Sequence, residues 1–125
     1  MTNPFRDQEK FMKACDQTVG DFNLKQFEMY KNLIEEEFDE LVTAESNKDS
    51  VEQLDALIDI LVVTIGAIHS MGADAEGAWK EVMRTNFDKI DSQTGKVRKR
   101  EDGKVLKPVG WTPPNLKPYL NKNNV

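Results

Sequence analysis

The chain has 125 residues, a length that one folded domain accounts for, so a second independent core is not expected. Its 22 acidic and 17 basic residues give a net charge of −5, which argues against general affinity for the phosphate backbone of nucleic acids. The one cysteine, Cys15, excludes an intrachain disulfide, and the longest apolar run, residues 56–68, contains an aspartate and is too short to span a bilayer. With no apolar stretch at its N-terminus, the sequence predicts a cytoplasmic protein that binds neither nucleic acid nor a membrane.

Acidic and basic residues are segregated along the chain. Residues 35–59 contain ten acids and one base, whereas residues 96–125 contain eight bases and two acids. Two opposite charge blocks in one small domain are typical of a site that handles both cations and anions. A pair of solvated surfaces is the alternative interpretation of the same counts.

Four helices are predicted from the spacing of apolar residues and from helix-end signals. Their predicted ranges are 4–17, 24–46, 50–71 and 74–90. The third helix is expected to begin at Ser50, because residues 50–53 have the pattern of a capping box. Gly72 is the expected residue after its end, and Asp74 is the expected N-cap of the fourth helix.

The chain changes character after Asp91. Glycine and proline residues exclude a long helix there, so residues 91–125 are predicted to form an extended basic arm. Trp111 is expected to anchor this arm, with stacking on a nucleotide base as the alternative. The predicted fold is therefore all-α: a four-helix bundle over about residues 4–90 followed by the arm, within a single domain of residues 1–125.

Acidic side chains gather on one edge of the second predicted helix. Glu36 and Glu40 are one turn apart, and Glu37 lies three residues before Glu40, so the three converge on one edge of the helix. Like charges at this spacing repel one another, and no Lys or Arg stands one turn away to neutralise them. A solvated acidic face is the alternative to a functional site.

The third predicted helix carries an aspartate in an apolar setting. Asp59 is the only charged residue in the run 56–68, and Asp55 lies one turn before it. A buried carboxylate costs several kcal/mol unless a cation or a proton neutralises it. The alternative to a functional role is a buried Asp59 that is bonded to Lys89, Arg84 or a backbone amide.

The short connection between the second and third helices implies that they pack antiparallel, which brings the two sets of carboxylates together. Carboxylate oxygens are the donors that Mg²⁺ and Mn²⁺ prefer, so this edge is a predicted metal site. His69 follows Asp59 by ten residues, about 15 Å along a helix, and is expected to be a helix-end residue rather than a ligand.

The second helix contains an EExxE motif, Glu36-Glu37-Phe38-Asp39-Glu40. In this respect the chain resembles the all-α nucleoside triphosphate pyrophosphohydrolases, the superfamily of MazG, dimeric dUTPases and phosphoribosyl-ATP pyrophosphohydrolase. The second motif of that superfamily, ExxD, ends at an aspartate that leads an apolar run, as Asp59 does. The position three residues before Asp59 is Ala56, and the nearest acid is Asp55.

The resemblance covers about residues 10–116. It includes an AsnxxLys pattern at Asn86 and Lys89 and a LysPro…GlyTrp tail at residues 107–111. These features together resemble a small single-domain branch from bacteria and phages that is described as MazG-like.

The resemblance implies an enzyme that cleaves a nucleoside triphosphate between the α and β phosphates, giving a monophosphate and pyrophosphate with the help of Mg²⁺ or Mn²⁺. The residues that it implies as metal ligands are Glu36, Glu37, Glu40, Asp55 and Asp59. Glu37 is also the implied acceptor of the proton from the attacking water. The expected substrate contacts are Lys89 and Asn86, followed by Arg84, Arg98 and Lys104, with exposed surface as the alternative for each.

The superfamily forms dimers or dimers of dimers, so we expect this bundle to be completed by a second copy of the chain. A non-catalytic helical module that binds a metal or a partner through the acidic edge is the alternative function, and hydrolysis of phosphoribosyl-ATP is a third. The sequence does not fix the base or the sugar of the substrate.

Overall fold

The computed structural model describes residues 2–121, and these residues contain four α-helices and no strand. The helices are Pro4–Ala14 (α1), Leu24–Ser46 (α2), Ser50–Ser70 (α3) and Ala75–Phe87 (α4), and a short 3-10 helix follows at Lys117–Tyr119. The predicted all-α class is therefore confirmed. No single helix within 2–121 combines the length and the apolar composition that spanning a membrane requires.

The ends of α2 and α3 agree closely with the prediction, and side-chain caps fix the start of each helix. Asn23 caps α2 through its side-chain oxygen, which accepts from the Gln26 N–H at 3.0 Å. The cap of α3 is Asp49 rather than Ser50, because the Asp49 carboxylate accepts from the Glu52 N–H at 3.1 Å. Gly72, with φ at +74°, follows the end of α3 as predicted.

Two helices are shorter than predicted. Helix α1 ends at Ala14 instead of residue 17, because Asp16 adopts a left-handed conformation with φ at +58°. Helix α4 ends at Phe87 instead of residue 90, since Ile90 instead pairs with Val97 in an isolated antiparallel bridge. The backbone conformation of Asp16 and the bridge at Ile90 therefore set these two helix ends, and helix propensity predicts neither of them.

The first of two compact units comprises residues 2–75 together with 120–121, and contains α1 to α3. Gln26 near the start of α2 donates to the Ser70 hydroxyl at the end of α3 at 2.8 Å, and Tyr30 packs against Gly66. As residue numbers rise along α2, the numbers of their partners on α3 fall. The predicted antiparallel pairing of these two helices is confirmed.

The core of this unit is small and lies where α1 meets the α2–α3 pair. Its buried members are Met12, Tyr30 and Ala67, with partly buried apolar side chains around them. His69 fixes the start of α1, because its Nε2 lies 2.8 Å from the carbonyl oxygen of Phe5. The histidine is thus the helix-end residue that the sequence predicts.

The second unit comprises residues 76–119 and contains most of α4 and the arm. The arm folds back on itself through the bridges Ile90–Val97 and Lys99–Val105. The indole N–H of Trp111 donates to the carbonyl oxygen of Thr85 on α4 at 2.7 Å, so the expected anchor is found. A single domain over residues 1–125 stays a prediction, and residues 1 and 122–125 lie outside the described part of the chain.

Candidate active site

Four of the predicted metal-binding carboxylates lie together where α2 and α3 run side by side. Glu37 and Glu40 come from α2, and Asp55 and Asp59 come from α3. The charges of the other three all act on Glu37, and those of Asp55 and Glu40 act on Asp59. The antiparallel pairing therefore brings four carboxyl groups near one another. Glu36, the fifth predicted ligand, is exposed to solvent and is not one of these four.

Glu37 has an orphaned oxygen. Among the side-chain oxygens and nitrogens of residues 2–121, its Oε2 is the one that is buried without a hydrogen-bond partner. Burial without a partner costs about 1–3 kcal/mol for a neutral acceptor and more for a charged one. The pKa of Glu37 is raised to about 7, first by desolvation, then by a hydrogen bond with Glu40 and by the repulsion of Glu40, Asp59 and Asp55. A proton on Glu37 or a cation beside it would therefore stabilise this site.

Asp59 is unneutralised in the same way. Burial raises its pKa, and the charges of Asp55 and Glu40 raise it further. Within residues 2–121 Asp59 forms no ion pair. Arg84, one of the cations considered as its partner, instead binds Glu81 and Asp88, each at 2.9 Å. Asp59 and its acidic neighbours therefore have no cation among residues 2–121 that neutralises them.

The donor set fits a hard divalent cation, because it consists of carboxylate oxygens alone and includes an acceptor that is buried without a partner. In the described part of the chain, no three Asp, Glu, His or Cys side chains stand close enough to hold one ion. Glu40 and Asp55 are exposed, so their side chains can rotate toward Glu37 and Asp59. Rotation of these two side chains would bring their oxygens nearer to Glu37 and Asp59.

Glu52 is an acid of α3 that was not predicted as a site residue. The position three residues before Asp59 is Ala56, which is 2% exposed, so no longer side chain fits there without displacing its neighbours. The position three residues before Asp55 is Glu52, which lines an open pocket of about 380 Å³ together with Glu40 and five other residues. The ExxD spacing is therefore present in the chain, one turn earlier on α3 than expected.

The predicted substrate contacts all lie in the second unit. Arg84 is committed to Glu81, which it holds through both of its carboxylate oxygens; this pair and the Asn115 N–H lower the pKa of Glu81 to about 2. The ammonium group of Lys89 donates to the Asn86 side chain at 3.1 Å. Asn86 is exposed, as are Arg98 and Lys104 on the arm. Contact of these residues with phosphate stays a prediction.

A comparison with protein families matches residues 7–86 to phosphoribosyl-ATP pyrophosphohydrolase. The chain belongs to this family. The match includes all four acids of the site and places the protein in the MazG-like all-α NTP pyrophosphohydrolase superfamily, so it is a pyrophosphohydrolase that acts on a nucleotide. Lys89, Trp111 and the arm lie beyond the matched residues. A comparison with curated proteins finds no match.

The pKa of Glu37 makes the stability of this family member depend on pH in the absence of metal. Because the folded-state pKa of about 7 exceeds the ordinary value of 4.5, the folded chain binds more protons between these pH values than the unfolded chain does. The contribution of Glu37 to stability is therefore complete below pH 4.5 and is lost as pH rises through 7.

We expect Glu37→Gln, measured by urea unfolding in EDTA, to be more stable than the wild-type protein at pH 8 and to lose this advantage at pH 4.5. Glu35→Gln on the same helix is the control, because Glu35 is exposed. An equal effect of the two substitutions at pH 8 would contradict this assignment.

Proposed function

We propose that the protein is a metal-dependent nucleoside triphosphate pyrophosphohydrolase, which cleaves between the α and β phosphates and releases a nucleoside monophosphate and pyrophosphate. The observation that carries the proposal is the orphaned Oε2 of Glu37 among three further carboxylates on α2 and α3. A pyrophosphohydrolase site must hold a positive charge beside the triphosphate, and this acidic cluster can bind a cation that supplies it. Removal of unwanted nucleotides from the cytoplasmic pool is the role that we assign to it.

The acidic residues would hold Mg²⁺, or Mn²⁺ in its place. We assign Glu37, Glu40, Asp55 and Asp59 as its ligands, with Glu36 as a further ligand that must turn inward. When bound, the ion supplies charge neutralisation of the triphosphate and a lower pKa for water.

Glu37 has a second role in this proposal. Its orphaned oxygen is the acceptor that takes the proton of the attacking water, since Oε2 has no hydrogen-bond partner of its own and is free to accept one. Asp59, Asp55 and Glu40 hold the negative potential that favours this transfer. Lys89 and Asn86 are proposed to contact the phosphates and the sugar or base, with Arg98 and Lys104 as further phosphate contacts. Arg84 contributes only if it leaves Glu81.

The second candidate substrate is phosphoribosyl-ATP, which the matched family favours by its description. Both substrates carry a triphosphate chain, so the same carboxylates serve either. A pyrophosphate assay distinguishes these two substrates. The protein is incubated with Mg²⁺ and, in separate reactions, with each common NTP, each dNTP, dUTP and phosphoribosyl-ATP. We expect the highest kcat/KM for one nucleoside triphosphate. Preference for phosphoribosyl-ATP would overturn the proposed substrate, and hydrolysis of none would favour a non-catalytic binding module.

We further propose that the protein is a homodimer, with α3 at the interface. The side chains of Leu54, Leu57, Ile58 and Leu61 are spaced as one stripe of a helix and are 63%, 51%, 52% and 47% exposed. Phe38 on α2 is a further large apolar side chain left 56% exposed. Contiguous exposed apolar surface of this kind is typical of a protein interface.

This proposal predicts the outcome of light scattering. We expect the wild-type protein to be a dimer and Leu57→Asp with Ile58→Asp to be a folded monomer, because two charges cannot be buried unpaired at an interface. Val109→Asp is the control, since Val109 is fully exposed on the arm. A wild-type monomer at high micromolar concentration would overturn the proposed dimer.

A further inference from the structure

Two lysine side chains from different parts of the second unit meet on one indole ring. The ammonium nitrogen of Lys89, just after α4, lies 5.2 Å from the centroid of the Trp111 ring. The ammonium nitrogen of Lys107, on the arm, lies 4.7 Å from the same centroid. The two nitrogens therefore lie within about 10 Å of each other, although their residues are 18 positions apart in the chain.

The backbone presets this arrangement. The Trp111 N–H donates to the Pro108 carbonyl oxygen at 3.1 Å, which closes a turn, and Gly110 provides its positive φ of +81°. Because Lys107 directly precedes a proline, its backbone favours the extended region, and the turn then brings the indole back beneath its side chain. The hydrogen bond from the indole N–H to Thr85, a buried residue, fixes the ring on α4.

Lys89 and Lys107 differ from the other cations of this unit in the ring that they share, because several of the other lysines also lack an ion pair among residues 2–121. Arg84 pairs with Glu81 and Asp88, and Arg100 pairs with Asp102. Within residues 2–121, neither Lys89 nor Lys107 forms an ion pair. Attraction to the ring face contributes about 0.5–2 kcal/mol for each ammonium group, and it holds both groups at the ring without neutralising either charge. An anion with several charged oxygens would complete the arrangement.

We propose that Lys107, Lys89 and Trp111 form a binding site for the di- or triphosphate chain of a nucleotide or of released pyrophosphate. An ammonium group is a compact charge that binds phosphate oxygens through up to three donors. Two ammonium groups at one ring can bind different phosphates of one chain, whereas orthophosphate offers a single phosphate. The inference deepens the proposed function, on which the identity of the ligand rests, and it adds Lys107, which lies outside the matched family residues.

The test uses the fluorescence of Trp111 and needs no turnover. The full chain carries Trp79→Phe, so that Trp111 is its only tryptophan. This variant is titrated in EDTA, at constant ionic strength, with inorganic tripolyphosphate, pyrophosphate or orthophosphate. We expect a saturable change with tripolyphosphate, weaker binding of orthophosphate, and a loss of affinity of at least tenfold in Lys107→Gln. Lys99→Gln, which removes the same charge from another exposed lysine of the arm, is expected to bind like the parent.

Several outcomes would overturn this site. They are the absence of a saturable change, equal binding of orthophosphate, and equal losses in Lys99→Gln and Lys107→Gln, which would show general charge attraction. Lys107→Arg keeps both the charge and the stacking, so it is expected to retain binding even if Lys107→Gln is poorly folded. Since no hydrolysis is measured, tripolyphosphate binding by a protein without turnover would refute only the proposed activity. Turnover with a KM unchanged by Lys107→Gln would refute only this site.

Discussion

Replacing Glu37 by glutamine is expected to lower the rate of pyrophosphate release at least about 100-fold, which is the usual contribution of a general base. The amide keeps the size of the side chain but can neither accept the proton from water nor supply a negative charge to a cation. Asp59→Asn is expected to have a comparable effect, because the charge of Asp59 belongs to the same cluster. Steady-state release of pyrophosphate in Mg²⁺ measures both losses.

The control for these substitutions is Glu35→Gln, which makes the same chemical change at an exposed position of α2. It is expected to retain the wild-type rate. Circular dichroism should show unchanged helix content in all three variants, since the two site substitutions remove repulsion rather than packing. Wild-type turnover in Glu37→Gln would contradict the assignment of Glu37 as the proton acceptor.

Gly66→Ala is expected to lower the stability of the protein, although alanine is the better helix former. A Cβ atom at this position would lie 2.4–2.7 Å from three ring carbons of Tyr30, and that ring is held by the hydrogen bond from its hydroxyl to Gln17. Alanine favours a helix over glycine by about 1 kcal/mol, whereas overpacking of a core costs about 1–3 kcal/mol. Because the ring cannot move without breaking its hydrogen bond, we expect a net decrease of about 1–2 kcal/mol in the free energy of unfolding.

A double-mutant cycle, measured by urea unfolding, tests whether the clash with Tyr30 causes this loss of stability. Tyr30→Leu removes the ring that the new methyl group would meet, so Gly66→Ala should be neutral or stabilising in that background. A loss of stability that is the same in both backgrounds would refute steric conflict with Tyr30. A stabilising Gly66→Ala in the wild-type background would show that helix propensity outweighs packing at this position.

The sequence predicts helices best where their ends depend on local signals. Both ends of α2 and the start of α3 were predictable, although the start of α3 was predicted from a capping box at Ser50 and its cap is Asp49. The C-terminal ends of α1 and α4 were not. The first depends on a left-handed Asp16, and the second on a bridge between Ile90 and Val97 across a turn. Neither interaction is visible in the periodicity of the helix that it ends.

The acidic site could be found from the sequence because of an exception to the usual pattern. Asp59 is a lone charge in an apolar helix, so its burial required an explanation, and the short α2–α3 connection supplied the neighbours Glu37 and Glu40. Lys107 was part of the LysPro…GlyTrp tail but carried no signal of a binding role. Its position over Trp111 arises from a turn within the arm, and the spacing along the chain does not reveal that Lys89 contacts the same ring.

We expect the carboxylates of α2 and α3 to promote cleavage between the α and β phosphates of a nucleoside triphosphate. This cleavage is tested by measuring nucleoside monophosphate, pyrophosphate and orthophosphate together, for the preferred nucleotide with Mg²⁺ and for the same mixture with EDTA. We expect monophosphate and pyrophosphate in equal amounts from the wild-type protein with Mg²⁺, and neither product with EDTA or from Glu37→Gln. Orthophosphate with a nucleoside diphosphate would place the cleavage at the terminal phosphate and contradict the account.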